Sequence, residues 1–189
     1  MADDEAEITA WALAAAQGDR AAAARFVQAT QPQVRRFLAA LTAPSEADDL
    51  AQETFLRAVR SLPSFAGRSS ARTWLLAIAR RVAVDHVRAA MSRPRTVPMP
   101  DGYDTADAAR GGFERQVVLE RLIAALPDDR REAFVATQVL GLSYAEAAEV
   151  CDCPVGTIRS RVARAREDLL VAMDVRSSST ARRGGGQVG

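Results

Sequence analysis

Apolar positions along the chain recur at three- and four-residue intervals, and no segment alternates with period two over the length of a strand. This pattern predicts helices. A first helix runs from about Ile8 to Gln17 and stops at Gly18-Asp19. A second covers roughly Arg20 to Thr30, and Pro32 opens a third that ends near Leu41. Ser45-Glu46-Ala47-Asp48 resembles a capping box with Asp in place of the usual Glu. The helix it starts runs to Ser61 and is closed by Pro63. A polar loop from Pro63 to Arg72 holds Gly67, Ser69 and Ser70, and a long helix follows over about Ala71 to Ala90.

The stretch 91–112 breaks the pattern. It holds Pro94, Pro98, Pro100, Gly102, Gly111 and Gly112 with little apolar content, which reads as a linker. Helical periodicity then returns over about Glu114 to Ala125 and Asp128 to Leu140, with Gly141 as a C-cap. Ser143-Tyr144-Ala145-Glu146 is a capping box opening a short helix to Val150. Cys151-Asp152-Cys153 forms a tight turn, and Pro154 begins a last helix to about Met173. The expected fold is all-α. Two small helical domains, 1–91 and 113–175, are joined by a flexible linker at 92–112 and followed by a disordered tail at 176–189. No internal repeat is visible.

A short capped helix, a turn and a longer helix make a helix-turn-helix pattern. Ile158, Val162, Ala165 and Leu169 give the long helix a buried stripe, and Arg159, Ser160, Arg161, Arg164 and Arg166 lie off it. The N-terminal half of such a helix enters the major groove, where arginine forks onto guanine. A solvated arginine face is the plainer reading of the same residues. Along the helix 48–62, Asp49, Gln52 and Glu53 share one face at i, i+3, i+4. Without a pocket signal this is a solvated face or a protein-binding patch, not acid–base machinery. In the helix after the loop, Trp74 reads as core. Asp85 can pair with Arg81 and Arg88 in an exposed network of low energetic value.

Charge sharpens this reading. The 189 residues carry 25 basic and 24 acidic groups, a near-neutral total that argues against a nucleic-acid partner if spread evenly. The charge is not spread evenly. Pro44 to Glu53 has four acids and no base, Arg57 to Arg95 has nine arginines and one acid, and Gly156 to Arg166 has four arginines and no acid. Lysine is absent, so every basic group is a guanidinium fork suited to phosphate and guanine. The single histidine, His86, reads as packed or half-exposed rather than a ligand. Cys151 and Cys153 fall short of a four-ligand zinc site and read as packing residues. No phosphate-cradling glycine loop or nucleophile–base pair points to an enzyme, so no catalytic residue, cofactor or metal is expected. No apolar run approaches the ~20 residues that span a bilayer. The acidic N-terminus lacks a secretory pattern, so the expected location is cytoplasmic.

Three segments together resemble a known family. Asp-Asp-Leu-Ala-Gln-Glu-Thr-Phe-Leu-Arg-Ala (48–58) resembles the polymerase-binding helix of bacterial sigma factors. Residues 64–80, Ser-Phe-Ala-Gly-Arg-Ser-Ser-Ala-Arg-Thr-Trp-Leu-Leu-Ala-Ile-Ala-Arg, resemble their −10-reading loop and helix. Residues 142–166, from Leu-Ser-Tyr-Ala-Glu to Arg-Val-Ala-Arg-Ala-Arg, are similar to their −35-reading helix-turn-helix. The layout is that of the extracytoplasmic-function (ECF) group, which keeps only domains two and four, and is most similar to its SigC-like members.

The resemblance implies roles. Asp49, Gln52 and Glu53 would dock on the clamp helices of the largest subunit of core RNA polymerase, with the flap region as a second polymerase contact. Phe65, Gly67, Arg68, Ser69 and Ser70 would form a loop that holds a flipped −10 base. Arg72, Arg80, Arg81, Asp85 and Arg88 would line the −10 DNA surface, and Thr157, Arg159, Ser160, Arg161 and Arg164 the −35 surface. Arg81 stands where the family often has asparagine, which both donates to and accepts from a base edge, so a different −10 preference is expected. The rival reading is a stand-alone helix-turn-helix regulator, which needs neither the acidic helix nor the −10-like segment. An anti-sigma factor, or the protein's own C-terminal domain, is a candidate mask for the −10 surface.

Overall fold

The computed structural model describes the backbone of residues 2–92 and 112–184 and the side chains of 4–91 and 117–174. Eight α-helices make up these residues: α1 Ala2–Ala16, α2 Arg20–Leu41, α3 Ala47–Ser61, α4 Ala71–Ser92, α5 Gly112–Ala124, α6 Asp128–Phe134, α7 Tyr144–Cys151 and α8 Val155–Gly184. A π-helical turn, Val135–Val139, extends α6 to Leu140. Linker residues 93–111 lie outside the described residues.

Local chemistry explains most boundaries. Asp19 caps α2, its carboxylate accepting from Ala21 N at 2.8 Å and Ala22 N at 3.0 Å. The capping box of α7 is complete: Glu146 N donates to Ser143 Oγ at 3.2 Å, and Ser143 N to Glu146 Oε2 at 2.8 Å. Partial burial works against the Glu146 charge, but the bonds from Ser143 prevail and hold its carboxyl below the ordinary value. Gly141 sits at φ +72°, the left-handed region that glycine adopts without strain.

Three expectations are corrected. The helices placed on either side of Gln31 are one helix, α2, with Pro32 inside it. Pro32 removes one bond, to the carbonyl of Gln28, and both Pro32 and Gln28 are exposed residues. Ser45 does not cap α3, which follows a short 3-10 turn, Pro44–Glu46, and has no side-chain cap. Asp48, the other half of the expected box, instead binds Arg35 of α2. Finally, α8 continues through 176–184, a stretch expected to be disordered. An established helix grows by one hydrogen bond per residue fixed, and Ala181, Arg182 and Arg183 are good helix formers.

The two halves are not held apart. Phe26, Phe37, Leu38, Leu75 and Leu76 from the first half join Val135, Val150, Ile158 and Val162 from the second in one buried cluster. Helix α4 packs on α7, and α2 on α6. Fully buried alanines at 12, 58, 71, 79, 133, 136 and 147 let the helices approach closely. Among the described residues no helix is long and apolar enough to cross a membrane. Replacing Ser143 by alanine, which breaks the capping box, is expected to lower stability by about 1 kcal/mol, read as a lower urea midpoint without a change in slope.

Candidate nucleic-acid interface

The helix-turn-helix comprises α7 and α8. Between them Asp152 turns the chain at φ +50°, a conformation aspartate tolerates better than most residues. The expected stripe of α8 is the buried one: Ile158, Val162, Ala165 and Leu169 all face the core. This leaves Arg159, Ser160 and Arg164 exposed on the opposite face and Thr157 half-buried at its start. Ser160 Oγ donates back to the Thr157 carbonyl at 2.9 Å. Arg161 differs from its neighbours. It turns inward, with Nε 3.2 Å from Asp129 Oδ2 and Nη1 3.7 Å from Cys153 Sγ. Cys151 is buried, and desolvation pushes its thiol far up, so it stays protonated and unreactive.

The loop between α3 and α4 is fixed at both ends. Phe65, only 8% exposed, packs on Trp74 with ring centroids 4.9 Å apart, and Trp74 also meets Phe26 at 6.5 Å. Phe65 is thus the loop's anchor and offers no open face to a base. At the other end Ser70 caps α4, its Oγ accepting from Thr73 N at 3.1 Å. Ala66, Gly67 and Arg68 stand exposed between these anchors, with Gly67 at φ +66°.

Along α4 the arginines divide. Arg81 and Arg88 are exposed, and Asp85 pairs with Arg57 of α3 at 2.8 Å. His86, half-buried, lies 3.0 Å from Glu46. Arg72 and Arg80 reach into the second half of the chain. Nη2 of Arg72 donates to the Leu140 carbonyl, and Arg80 Nε donates to Glu132 Oε1. Glu132 is buried, and desolvation lifts its carboxyl above the ordinary value against the pull of Arg80. Burial likewise opposes the Arg80 charge, but Glu132 more than offsets this and raises the guanidinium pKa. Two of the arginines expected at DNA are therefore occupied by the second half.

Helix α3 presents Asp49 and Gln52 to solvent, and Glu53 pairs with Arg57 at 2.7 Å. Gln52 also borders an open groove of about 620 Å³ between α2 and α3. Its apolar lining is Val27, Ala51, Phe55, Leu56 and Val59, and Leu56 and Val59 are 48% and 52% exposed. Exposed apolar surface rimmed by charge marks a protein-binding face. The sequence reading missed this groove because it needs α2 as its second wall. It missed Glu132 for the same reason, since its partner lies 52 residues away.

Comparison with known proteins fits this geometry. A family model described as "Sigma-70 region 2" matches residues 26–93, and one described as "Sigma-70, region 4" matches 116–169. The ECF RNA polymerase sigma factor SigC of Mycobacterium tuberculosis is 57% identical over 170 residues, covering 89% of this chain and 91% of that protein. The chain belongs to the ECF RNA polymerase sigma factors.

The ECF sigma-E factor of Escherichia coli is more distant, 33% identical over 167 residues, covering 81% of this chain and 87% of that one. Among solved structures, the sigma factor RpoE of Bartonella quintana, in complex with the anti-sigma factor NepR, is similar at TM-score 0.65 and 28% identity over 80% of this chain and 96% of that one. CnrH, solved with the cytosolic domain of CnrY, shares the fold at TM-score 0.66 and 24% identity, covering 89% and 98%. In this sigma factor region 2 takes in most of α2, all of α3 and the −10-like loop with α4, whereas region 4 holds the helix-turn-helix. Helix α1 precedes both matches.

Removing one partner of a fully buried ion pair costs about 3–5 kcal/mol. The side chains of Arg80 and Glu132 keep 24% and 11% exposure. About 1–3 kcal/mol is therefore expected for Glu132→Gln. Small-angle scattering of the free sigma factor should show a larger radius of gyration for this variant than for the wild type.

Proposed function

We propose that this sigma factor binds core RNA polymerase and directs it to promoters by reading −10 and −35 elements, melting the DNA and starting transcription. It is a specificity subunit without its own catalytic site. The observation that carries the reading is that one all-α chain presents three surfaces: an acidic helix beside an apolar groove, a loop fixed at both ends next to an arginine-rich helix, and a helix-turn-helix. A stand-alone regulator needs the third alone.

In this reading Asp49, Gln52 and Glu53 meet the polymerase clamp helices, and Leu56 and Val59 add apolar contact. The exposed loop from Ala66 to Ser69 receives a −10 base, with Phe65 and Ser70 holding its shape. Arg68 and Arg81 hold the opened strand with Arg88 farther along the same helix, and Arg72 and Arg80 join them once released from Leu140 and Glu132. Asp85 keeps Arg57 in place at the edge of this surface. Arg159, Ser160 and Arg164 read the −35 element, with Thr157 at the helix start. Arg161 joins them if its bond to Asp129 opens.

The contacts of Arg72 and Arg80 support a second part of the proposal. The free protein masks its own −10 surface with its C-terminal domain, and polymerase binding draws the two apart. RpoE of Bartonella quintana, solved with the anti-sigma factor NepR, supports an anti-sigma factor as an alternative mask for this protein.

Asp49→Arg and Glu53→Arg are each expected to reduce capture by core polymerase at least tenfold and to abolish run-off transcription while helicity is kept. Tight binding of promoter duplex by the free protein, unaffected by these variants, would favour the stand-alone regulator. Arg159→Ala and Arg164→Ala are each expected to lower the salt dependence of holoenzyme binding. If each contacts one phosphate, the slope of log K against log salt falls by about 0.9 per residue.

A further inference from the structure

Helix α1 lies outside both family matches, yet its surface is fitted to the loop assigned above to the −10 base. One face of α1 anchors it. Ile8 and Ala12 are buried, with Trp11 packed beside them. The adjacent face carries Thr9 and Leu13, four residues apart and therefore neighbours on the helix. Thr9 Oγ1 accepts from Ala71 N at 3.1 Å, across 62 residues of sequence. Ala71 is the first residue of α4, so its N–H has no partner within the helix. Ser70 serves the N–H of Thr73, and Thr9 serves that of Ala71.

Leu13 meets the middle of the same loop. A Cβ built on Gly67 would stand 3.4 Å from Leu13 Cδ2, and Gly67 holds φ +66°. Contacts fix the loop at three places, and the Leu13 side chain lies beside a fourth. Phe65 rests on Trp74, Gly67 lies under Leu13, Ser70 caps α4 and Thr9 fixes the first N–H of α4. Two of the four come from α1. What remains exposed, Ala66 to Arg68 with part of Ser69, is a short span whose shape these contacts determine. A pocket that discriminates bases must be held within about 0.5 Å of its productive geometry.

We propose that Thr9 and Leu13 of α1 are positioning residues that set the shape of the 65–70 loop, and through it the base preference at the −10 element. The proposal rests on the assignment of that loop to the −10 base. Neither side chain touches DNA. Thr9 acts by fixing where α4 begins, and Leu13 by limiting the space beside Gly67.

The test is run-off transcription by the reconstituted holoenzyme on a promoter and on its single-base variants in the −10 and −35 elements. The readout is the ratio of cognate to substituted template, which a uniform loss of folded protein does not move. Thr9→Val removes the acceptor at nearly constant volume and is expected to lower the −10 ratio about three- to tenfold. Thr9→Ser, which keeps the hydroxyl, should restore it, and the −35 ratio should stay unchanged. Leu13→Ala is expected to lower the −10 ratio on its own, without touching the cap. An equal loss on every template, or an unchanged −10 ratio in both Thr9→Val and Leu13→Ala, would overturn the proposal. Arg68→Ala and Ser69→Ala separate the two possible failures. If they shift the −10 ratio and the α1 variants do not, positioning by α1 alone is wrong. If they leave it unchanged, the loop assignment is wrong and the proposal falls with it.

Discussion

The ion pair between Arg80 and Glu132 is the constraint around which the closed molecule is arranged. Glu132 is a buried carboxylate, and a buried carboxylate is costly unless a partner meets it. The partner comes from the other half of the chain. Arg72 adds a second bond across the same boundary by donating to the Leu140 carbonyl, which ends the π-helical extension of α6. Around these polar contacts the apolar faces of α4 and α7 merge the two halves into one core. In the function proposed above, these arginines have two uses that exclude each other. They either satisfy the second half of the protein or meet an opened DNA strand.

This arrangement gives the charge pattern its meaning. The near-neutral total hides an acidic segment and two basic ones, and in the folded chain the segments do not simply face solvent. Arg35 binds Asp48, Arg57 binds Glu53 and Asp85, and Arg161 binds Asp129. Part of the apparent excess charge is used internally. The positions left exposed, among them Arg68, Arg81, Arg159 and Arg164, form a smaller set than the sequence alone suggests.

Much of this was legible in the sequence because it depends on local rules. The capping box at Ser143, the glycine turn at 141 and the buried stripe from Ile158 to Leu169 need residues no more than a few turns apart. Pro32 misled because a proline signals a helix boundary. Here Pro32 lies on the exposed side of α2, and tertiary packing on both sides carries the helix through. Phe65 was expected among the loop residues that hold a −10 base, but it is buried against Trp74, which spacing does not reveal. The docking of the two halves and the groove between α2 and α3 were invisible for the same reason. Each is made by residues far apart in the chain, and spacing does not encode who meets whom.

In the proposed function, the second half competes with DNA for the arginines of α4. The most direct measurement is the affinity of the full-length protein, without polymerase, for a single-stranded oligonucleotide carrying its mapped −10 sequence. The comparison is between wild type and Glu132→Gln. A loss of about 1–3 kcal/mol of docking corresponds to about 5- to 150-fold. The account predicts that the variant binds at least about fivefold more tightly. Equal or weaker binding by the variant would contradict it.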